Sequence, residues 1–310
     1  MNVARKAAIL LDRTAVLFVG LALGGVITYS FFAGSQAAEA GPTGALPRQQ
    51  AAAAVTAAPS AAPADIPAVM TPRLASAAAE GRKVHVGIFG DSFGDGIHAA
   101  LYKQLPADQN FEVHKFSHPA TGFTRYRSID LLDDTRRRID QQPVDVAVLT
   151  FGANDMQGIY LDGKGAEFMS DRWKQIVSDR VGAVVALLRE RGAAVYWVGL
   201  PRMRDPAYDR DVQAMNAFYT ERMRALNVPF IDTLAPTVDA SGAYAPYLMD
   251  SLKGEKIMAR TNDGIHMTIP GYYILTRGLA DRIRRSVQDA SGRPAPRSAA
   301  GSGAGSGSQG

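Results

Sequence analysis

Val144-Asp145-Val146-Ala147-Val148-Leu149-Thr150-Phe151 is a nearly unbroken apolar run, rich in β-branched residues. A strand of this kind is buried on both faces, as in a parallel sheet covered by helices on each side. Working outward, Val84-His85-Val86-Gly87-Ile88-Phe89 and residues 111–116 read as strands before it, and residues 194–200 and 228–231 as strands after it. Helical patterns fall between them, at 98–105, at 129–139 and at 212–226. A longer helix follows the central strand and lines up Trp173, Val177, Val181, Val184 and Leu188 on one face. The last helix starts near Thr268-Ile269-Pro270 and carries Leu275, Leu279, Ile283 and Val287. Strands separated by helices imply an α/β domain with a parallel sheet and right-handed crossovers. In such sheets the active site lies beyond the carboxyl ends of the strands.

The flanks of this domain have a different composition. Arg5, Lys6 and Arg13 precede an uncharged, largely apolar segment at 15–33, which predicts export of the chain beyond it. Its length just suffices for a membrane anchor, whereas Ala38-Glu39-Ala40 reads as a cleavage site for a signal peptide; the anchor is the favoured reading. Ala and Pro make up 24 of the 46 residues from 35 to 80, too few large apolar side chains to offset ordering entropy. The expected organisation is therefore an N-terminal signal or anchor at 1–40, a disordered linker at 41–81, the α/β domain at 82–289 and a disordered Gly/Ser-rich tail at 290–310. Localisation is expected to be periplasmic, with the inner membrane as partner if the anchor is retained.

Several function classes drop out. With 34 Lys and Arg against 30 Asp and Glu, the charge is nearly balanced and no basic stripe marks a nucleic-acid surface. The absence of cysteine excludes a disulfide scaffold, a thiol nucleophile and Cys-ligated metal. Of the five histidines, His85 and His114 sit in strand-like runs where packing is the expected role. No metal or cofactor is implied.

Three short motifs stand at predicted carboxyl ends of strands. Gly90-Asp91-Ser92 follows the first strand, where a serine meets the positive end of a helix. Phe151-Gly152-Ala153-Asn154-Asp155 ends the central strand, and the Asn154 amide can donate to a developing oxyanion. Asp263-Gly264-Ile265-His266 lies just ahead of the last helix; its spacing lets the carboxylate fold onto one imidazole nitrogen while the other faces Ser92. Each motif alone has an ordinary reading as turn or cap residues. Together they supply the parts of acyl-transfer chemistry.

On these motifs the chain resembles the SGNH (GDSL-type) hydrolases over most of residues 84–288. Gly90-Asp91-Ser92 resembles the nucleophile block, Gly152-x-Asn154-Asp155 the G-x-N-D block and Asp263-x-x-His266 the D-x-x-H block. The glycine of the remaining block falls on Gly122, in Thr121-Gly122-Phe123. The resemblance implies a flavodoxin-like three-layer α/β/α sandwich with five parallel strands, with Ser92 as nucleophile, His266 as general base and acid, and Asp263 as orienting carboxylate. It places the oxyanion hole at the N–H groups of Ser92 and Gly122 and the side chain of Asn154. Asp91 and Asp155 read as loop supports. Phe93 departs from the leucine of many relatives but keeps the nucleophile loop packable, and Gly94-Asp95-Gly96 reads as an unusually flexible turn after it.

The expected activity is hydrolysis of small acyl esters, O-acetyl groups on envelope glycans above all. A glycan O-acetyltransferase, a thioesterase or small-ester lipase with the same triad, and a non-catalytic tethered binding protein are the alternatives. Residues 157–168 read as a loop near Asn154, and 243–249 with 256–259 as two short strands beside the histidine loop. Tyr160, Tyr244, Tyr247, Arg125 and Arg260 are candidates for contact with a sugar or an anionic group, against an ordinary surface or packing role for each; no motif assigns a substrate-binding residue.

Overall fold

The computed structural model describes residues 70–292. The segment at 15–33, the linker up to 69 and the tail from 293 onward lie outside them. Among the described residues no helix is long and apolar enough to cross a membrane.

Five parallel strands form the sheet: β1 (Val84–Gly90), β2 (Phe111–Lys115), β3 (Val146–Thr150), β6 (Ala194–Val198) and β7 (Phe230–Ile231), in the order β2-β1-β3-β6-β7. This is the doubly wound order in which chain direction across the sheet reverses beside β1, opening a crevice at the carboxyl ends of β1 and β3. Alternation along the strands fills both faces. Val86, Ile88, Val146, Val148, Tyr196 and Val198 join one core, and Phe89, Ala147, Leu149, Val195 and Trp197 the other. The apolar run at 144–151 is the centre of this arrangement, and β3 is buried at every position.

Helix α2 (Ser92–Gln104) and the last helix, α6 (Ile269–Ser291), cover the first face; α3 (Leu131–Gln141) and α4 (Asp171–Glu190) cover the second. Helix α5 (Pro206–Ala225) starts six residues before the expected 212, because Asp205 caps it through the Tyr208 N–H and Pro206 takes its first turn. Thr268 caps α6 in the same way, accepting from the Gly271 N–H.

Three expectations are corrected. Residues 72–80, placed in the linker by their alanines, form helix α1 (Pro72–Glu80), with Leu74 and Ala77 fully buried. Charge holds it as well as packing: Asp145, buried at the amino end of the central strand, accepts from Arg82 at 2.8 Å through both oxygens and pairs with Arg73 at 2.9 Å. Burial opposes ionisation of Asp145, but the hydrogen bonds from Arg82 and the His85 N–H, together with the Arg82 and Arg73 charges, outweigh it and hold the carboxyl below its usual pKa. The domain therefore begins about ten residues earlier than composition predicts, and at its other end α6 runs to Ser291, just into the expected tail. Second, residues 157–168 are not a plain loop: β4 (Ile159–Leu161) and β5 (Lys164–Ala166) pair as an antiparallel hairpin. Third, Gly94-Asp95-Gly96 is not a flexible turn but the first part of α2. A Cβ on Gly96 would lie 2.0 Å from the Tyr272 ring, so glycine there permits close approach of α2 and α6. The expected short strands near the histidine loop appear as the hairpin β8 (Tyr247–Asp250) and β9 (Glu255–Met258).

Candidate active site

Ser92 is the first residue of α2, and Asp91 caps the helix by accepting from the Phe93 N–H at 2.9 Å. The Ser92 hydroxyl thus sits over the N-terminal end of a helix, where first-turn N–H groups lack carbonyl partners and the field favours negative charge. Ser92 Oγ lies 2.7 Å from His266 Nε2. On the other side of the ring, His266 Nδ1 lies 2.7 Å from Asp263 Oδ2. The three residues that the motifs singled out form one hydrogen-bonded chain although Ser92 and His266 are 174 residues apart.

The Asp263-His266 loop is built to hold that order. Asp263 Oδ1 accepts from Thr261 Oγ1 at 2.6 Å and from the N–H groups of Ile265 and His266 at 2.8 and 3.0 Å. Burial raises the Asp263 pKa, but these hydrogen bonds and the one from His266 outweigh it and hold the group far below the usual carboxylate range. With the carboxylate ionised, its acceptor oxygen puts the His266 proton on Nδ1 and leaves Nε2 free to accept from Ser92. Phe93, 1% exposed, stacks its ring on that of His266 at 5.3 Å and meets Tyr272 edge-on at 6.2 Å. The Phe93 departure therefore serves packing against the imidazole. His266 and Asp263 keep 35% and 44% of their side-chain surface, so the site opens to solvent.

Asn154 arrives from the carboxyl end of β3. Its Nδ2 donates to the Thr121 carbonyl at 3.1 Å and lies 3.4 Å from Asp91 Oδ2, bridging the loops beyond β2 and β3 across the end of β1. Gly122 has a steric reason to be glycine. A Cβ there would stand 2.4 Å from Asp155 Oδ1, the oxygen that accepts from the Thr124 N–H and hydroxyl at 2.7 and 2.8 Å. Asp155 thus pins the 121–124 loop from beneath, buried and with its pKa raised by desolvation. Asp91 is buried as well, and desolvation, aided by the nearby Asp155 charge, pushes its pKa up to about 7.

Sequence reasoning missed the second tier of supports. Tyr208 donates its hydroxyl to the Ala153 carbonyl at 2.8 Å, and Arg125 Nε donates to the Asn154 carbonyl at 3.2 Å. Neither residue lies in a motif; the sequence marks Arg125 only as a candidate substrate contact, and no local pattern marks either as a support of the Asn154 loop. Arg260, weighed as a substrate contact against a packing role, takes the packing role: 2% exposed, it donates to the Ile265 carbonyl at 2.9 Å and lies over the Tyr244 ring at 4.8 Å, bracing the histidine loop from within. Tyr160 and Tyr247 are exposed, on the β4–β5 and β8–β9 hairpins. Two clefts flank the site. One of 450 Å³ is lined by Arg204, Pro206, Tyr208, Asp263 and Ile265. The other, of 680 Å³, opens between the 124–128 loop and the β4–β5 hairpin.

A second cluster lies away from these residues. His85, Glu112 and His114 share one face of β1 and β2, with their ligand atoms within 4.8 Å of one another. His85 Nδ1 and His114 Nε2 are 2.9 Å apart with ring planes 10° from parallel. That separation is too short for face-to-face stacking and describes an in-plane N–H···N hydrogen bond, so the two histidines satisfy each other.

The family model described as a protein of unknown function (DUF459) matches residues 85–282, nearly the whole of the sheet and every residue of the Ser92 site. The chain belongs to this family. No curated protein matches its sequence. Among solved structures, the DUF459 chain is similar to a GDSL-like lipase from Bacteroides thetaiotaomicron, at 17% identity over 66% of this chain and 88% of that one, with a TM-score of 0.45. It is similar to a catalytic mutant of Axe2, an acetylxylan esterase from Geobacillus stearothermophilus, at 13% identity over 65% and 94% of the two chains, TM-score 0.47. A lipase/acylhydrolase from Enterococcus faecalis matches at 16% identity over 70% and 100%, TM-score 0.39.

Proposed function

We propose that the chain is an exported serine esterase that removes small acyl groups, O-acetyl groups above all, from glycans of the cell envelope. One observation carries the catalytic part: the continuous hydrogen-bond chain from Ser92 Oγ through His266 to Asp263, at the carboxyl edge of a parallel sheet and over a helix N-terminus.

In this reading Ser92 Oγ attacks the ester carbon while His266 Nε2 takes its proton. Asp263 keeps the imidazole in the accepting tautomer and stabilises the imidazolium that forms. The N–H groups of Ser92 and Gly122 and the Asn154 amide receive the oxyanion; Asn154 turns from the Thr121 carbonyl toward the stronger, charged acceptor. Collapse of the tetrahedral intermediate releases the alcohol, protonated by His266, and leaves an acyl group on Ser92. Water then repeats the sequence with the same groups. Each proton passes through His266, out to the leaving alcohol and in from the attacking water, and the chemistry calls for no cofactor.

Export rests on the charge and apolar pattern of the first 33 residues, and small-acyl selectivity on a solvent-facing triad whose flanking clefts, among the described residues, are lined mainly by polar and charged side chains. A fluorophosphonate probe tests the mechanism. The parent protein should label, whereas Ser92→Ala and His266→Ala should not. A folded parent that stays unlabelled would return the chain to the binding-protein reading. Release of acetate from an acetylated glycan then tests the substrate, and preferential transfer to a sugar acceptor would make it an acyltransferase.

A further inference from the structure

The cleft between the 124–128 loop and the β4–β5 hairpin adjoins the Ser92 site through a single side chain. Arg125 lines it and donates Nε to the carbonyl of Asn154, the residue that bridges to Asp91. At 680 Å³ it is far larger than an acetyl group needs and falls within the range of small-ligand sites.

Its walls are rigid and its charge is one-sided. Trp173 Nε1 donates to the Gln157 carbonyl at 2.8 Å and Arg172 to the Leu161 carbonyl at 3.2 Å, tying the hairpin wall to α4. On the opposite wall Arg180 donates to the Phe123 carbonyl at 2.6 Å and lies 4.4 Å over the Tyr126 ring, while the Tyr126 hydroxyl is held by Asp130. Three arginines line the cleft against one acid, Asp162. Arg180 is committed to this scaffold. Arg125 uses Nε and Nη1 on the carbonyls of Asn154 and Ala120, which leaves Nη2 without a hydrogen-bond partner among the described residues. Arg127 is exposed and has no hydrogen-bond or ion-pair partner among the described residues. Two tyrosine rings complete the surface, Tyr126 at 44% and Tyr160 at 66% exposure.

Guanidinium groups held beside amphipathic rings match a ligand with a planar anion on a polar ring: arginine pairs with carboxylates through its fork of donors, and tyrosine offers an apolar face with a polar rim. We propose that this cleft binds the carboxylate of an acidic saccharide through Arg127 and Arg125, with the sugar ring against Tyr160, and so presents an ester on that saccharide or its neighbour to Ser92. The assignment deepens the esterase reading and rests on it: the substrate glycan is acidic, and the cleft selects it.

Calorimetry on the full-length chain tests this, because a ligand without esters binds but does not turn over. Trigalacturonate should bind at least about tenfold more tightly than neutral xylotriose, and Arg127→Gln should weaken trigalacturonate by about tenfold while leaving xylotriose unchanged. Arg136→Gln removes the same charge from the exposed face of α3, outside the cleft, and should bind trigalacturonate as the parent does. Equal affinity for the two sugars, or a loss as large in Arg136→Gln as in Arg127→Gln, overturns the proposal. Inorganic phosphate binding as tightly as trigalacturonate reassigns the cleft to a phosphate group and overturns the carboxylate assignment. Fluorophosphonate labelling separates the two layers: a labelled parent that binds no acidic sugar loses the subsite alone, and an unlabelled folded parent loses the esterase beneath it.

Discussion

Asp91→Asn should make the protein's stability less sensitive to pH, and the size of the change is set by burial. The Asp91 carboxyl is 0% exposed, and desolvation raises its pKa from 3.8 in the unfolded chain to about 7 in the fold. An acid raised in this way binds more protons folded than unfolded between those two values. Folding stability therefore falls as pH climbs from about 4 to about 7 and levels off above. At about 1.4 kcal/mol per pH unit, the interval from 3.8 to about 7 amounts to about 4 kcal/mol. Asparagine removes the titration and still accepts from the Phe93 N–H through its oxygen. Its amide nitrogen then faces Asn154 Nδ2, which stands 3.4 Å from Asp91 Oδ2, a mismatch costing about 1 kcal/mol at every pH. The signature is thus a slope and not an offset. In urea unfolding at several pH values, the stability of Asp91→Asn relative to the parent should rise by about 4 kcal/mol between about pH 4 and pH 8. A constant difference across that range would refute the reasoning and mean that Asp91 is ionised throughout.

Other expectations rest on single contacts. Asn154→Ala should lower kcat by about two to three powers of ten toward a 4-nitrophenyl acyl ester if its amide receives the oxyanion; a change confined to KM would remove it from that role. Gly96→Ala, whose new methyl would meet the Tyr272 ring at 2.0 Å, should destabilise by about 1–3 kcal/mol despite the better helix propensity of alanine, read as a lower thermal midpoint. Leu74→Ala should cost about 2–5 kcal/mol in urea unfolding, because α1 packs into the main core; a neutral result would return residues 72–80 to the linker.

The legible part of the fold is the part written in periodicity. Residues 144–151, buried on both faces, read as the central strand because no polar alternation interrupts them, and spacing places the strands around them. Helix α1 escapes that reading. Its alanines look like linker, and what orders them is Leu74 in the core together with Arg73 and Arg82 on Asp145, partners more than sixty residues away. Gly94 and Gly96 mislead for a related reason: a local rule treats glycine as loose backbone, whereas here the space they vacate belongs to Ser117 and Tyr272. Arg260 reads from sequence as either a substrate contact or a packing residue; only the packed histidine loop decides between them, with its guanidinium facing inward.

The order of chemistry along the chain, with Ser92 after the first strand, Asn154 after the third and Asp263-x-x-His266 before the last helix, is a property of the sequence, since strand, turn and motif are all local patterns. Their meeting is not. The 2.7 Å contact between Ser92 and His266 depends on the packing of α2 against α6. The near-neutral pKa of Asp91 depends on burial that no single residue specifies, and the basic cleft depends on Arg125, Arg127 and the β4–β5 hairpin being brought to one side of the sheet. Local patterns determine which groups are available; desolvation, close approach and the convergence of distant loops are sums over the whole fold, and only tertiary structure decides them.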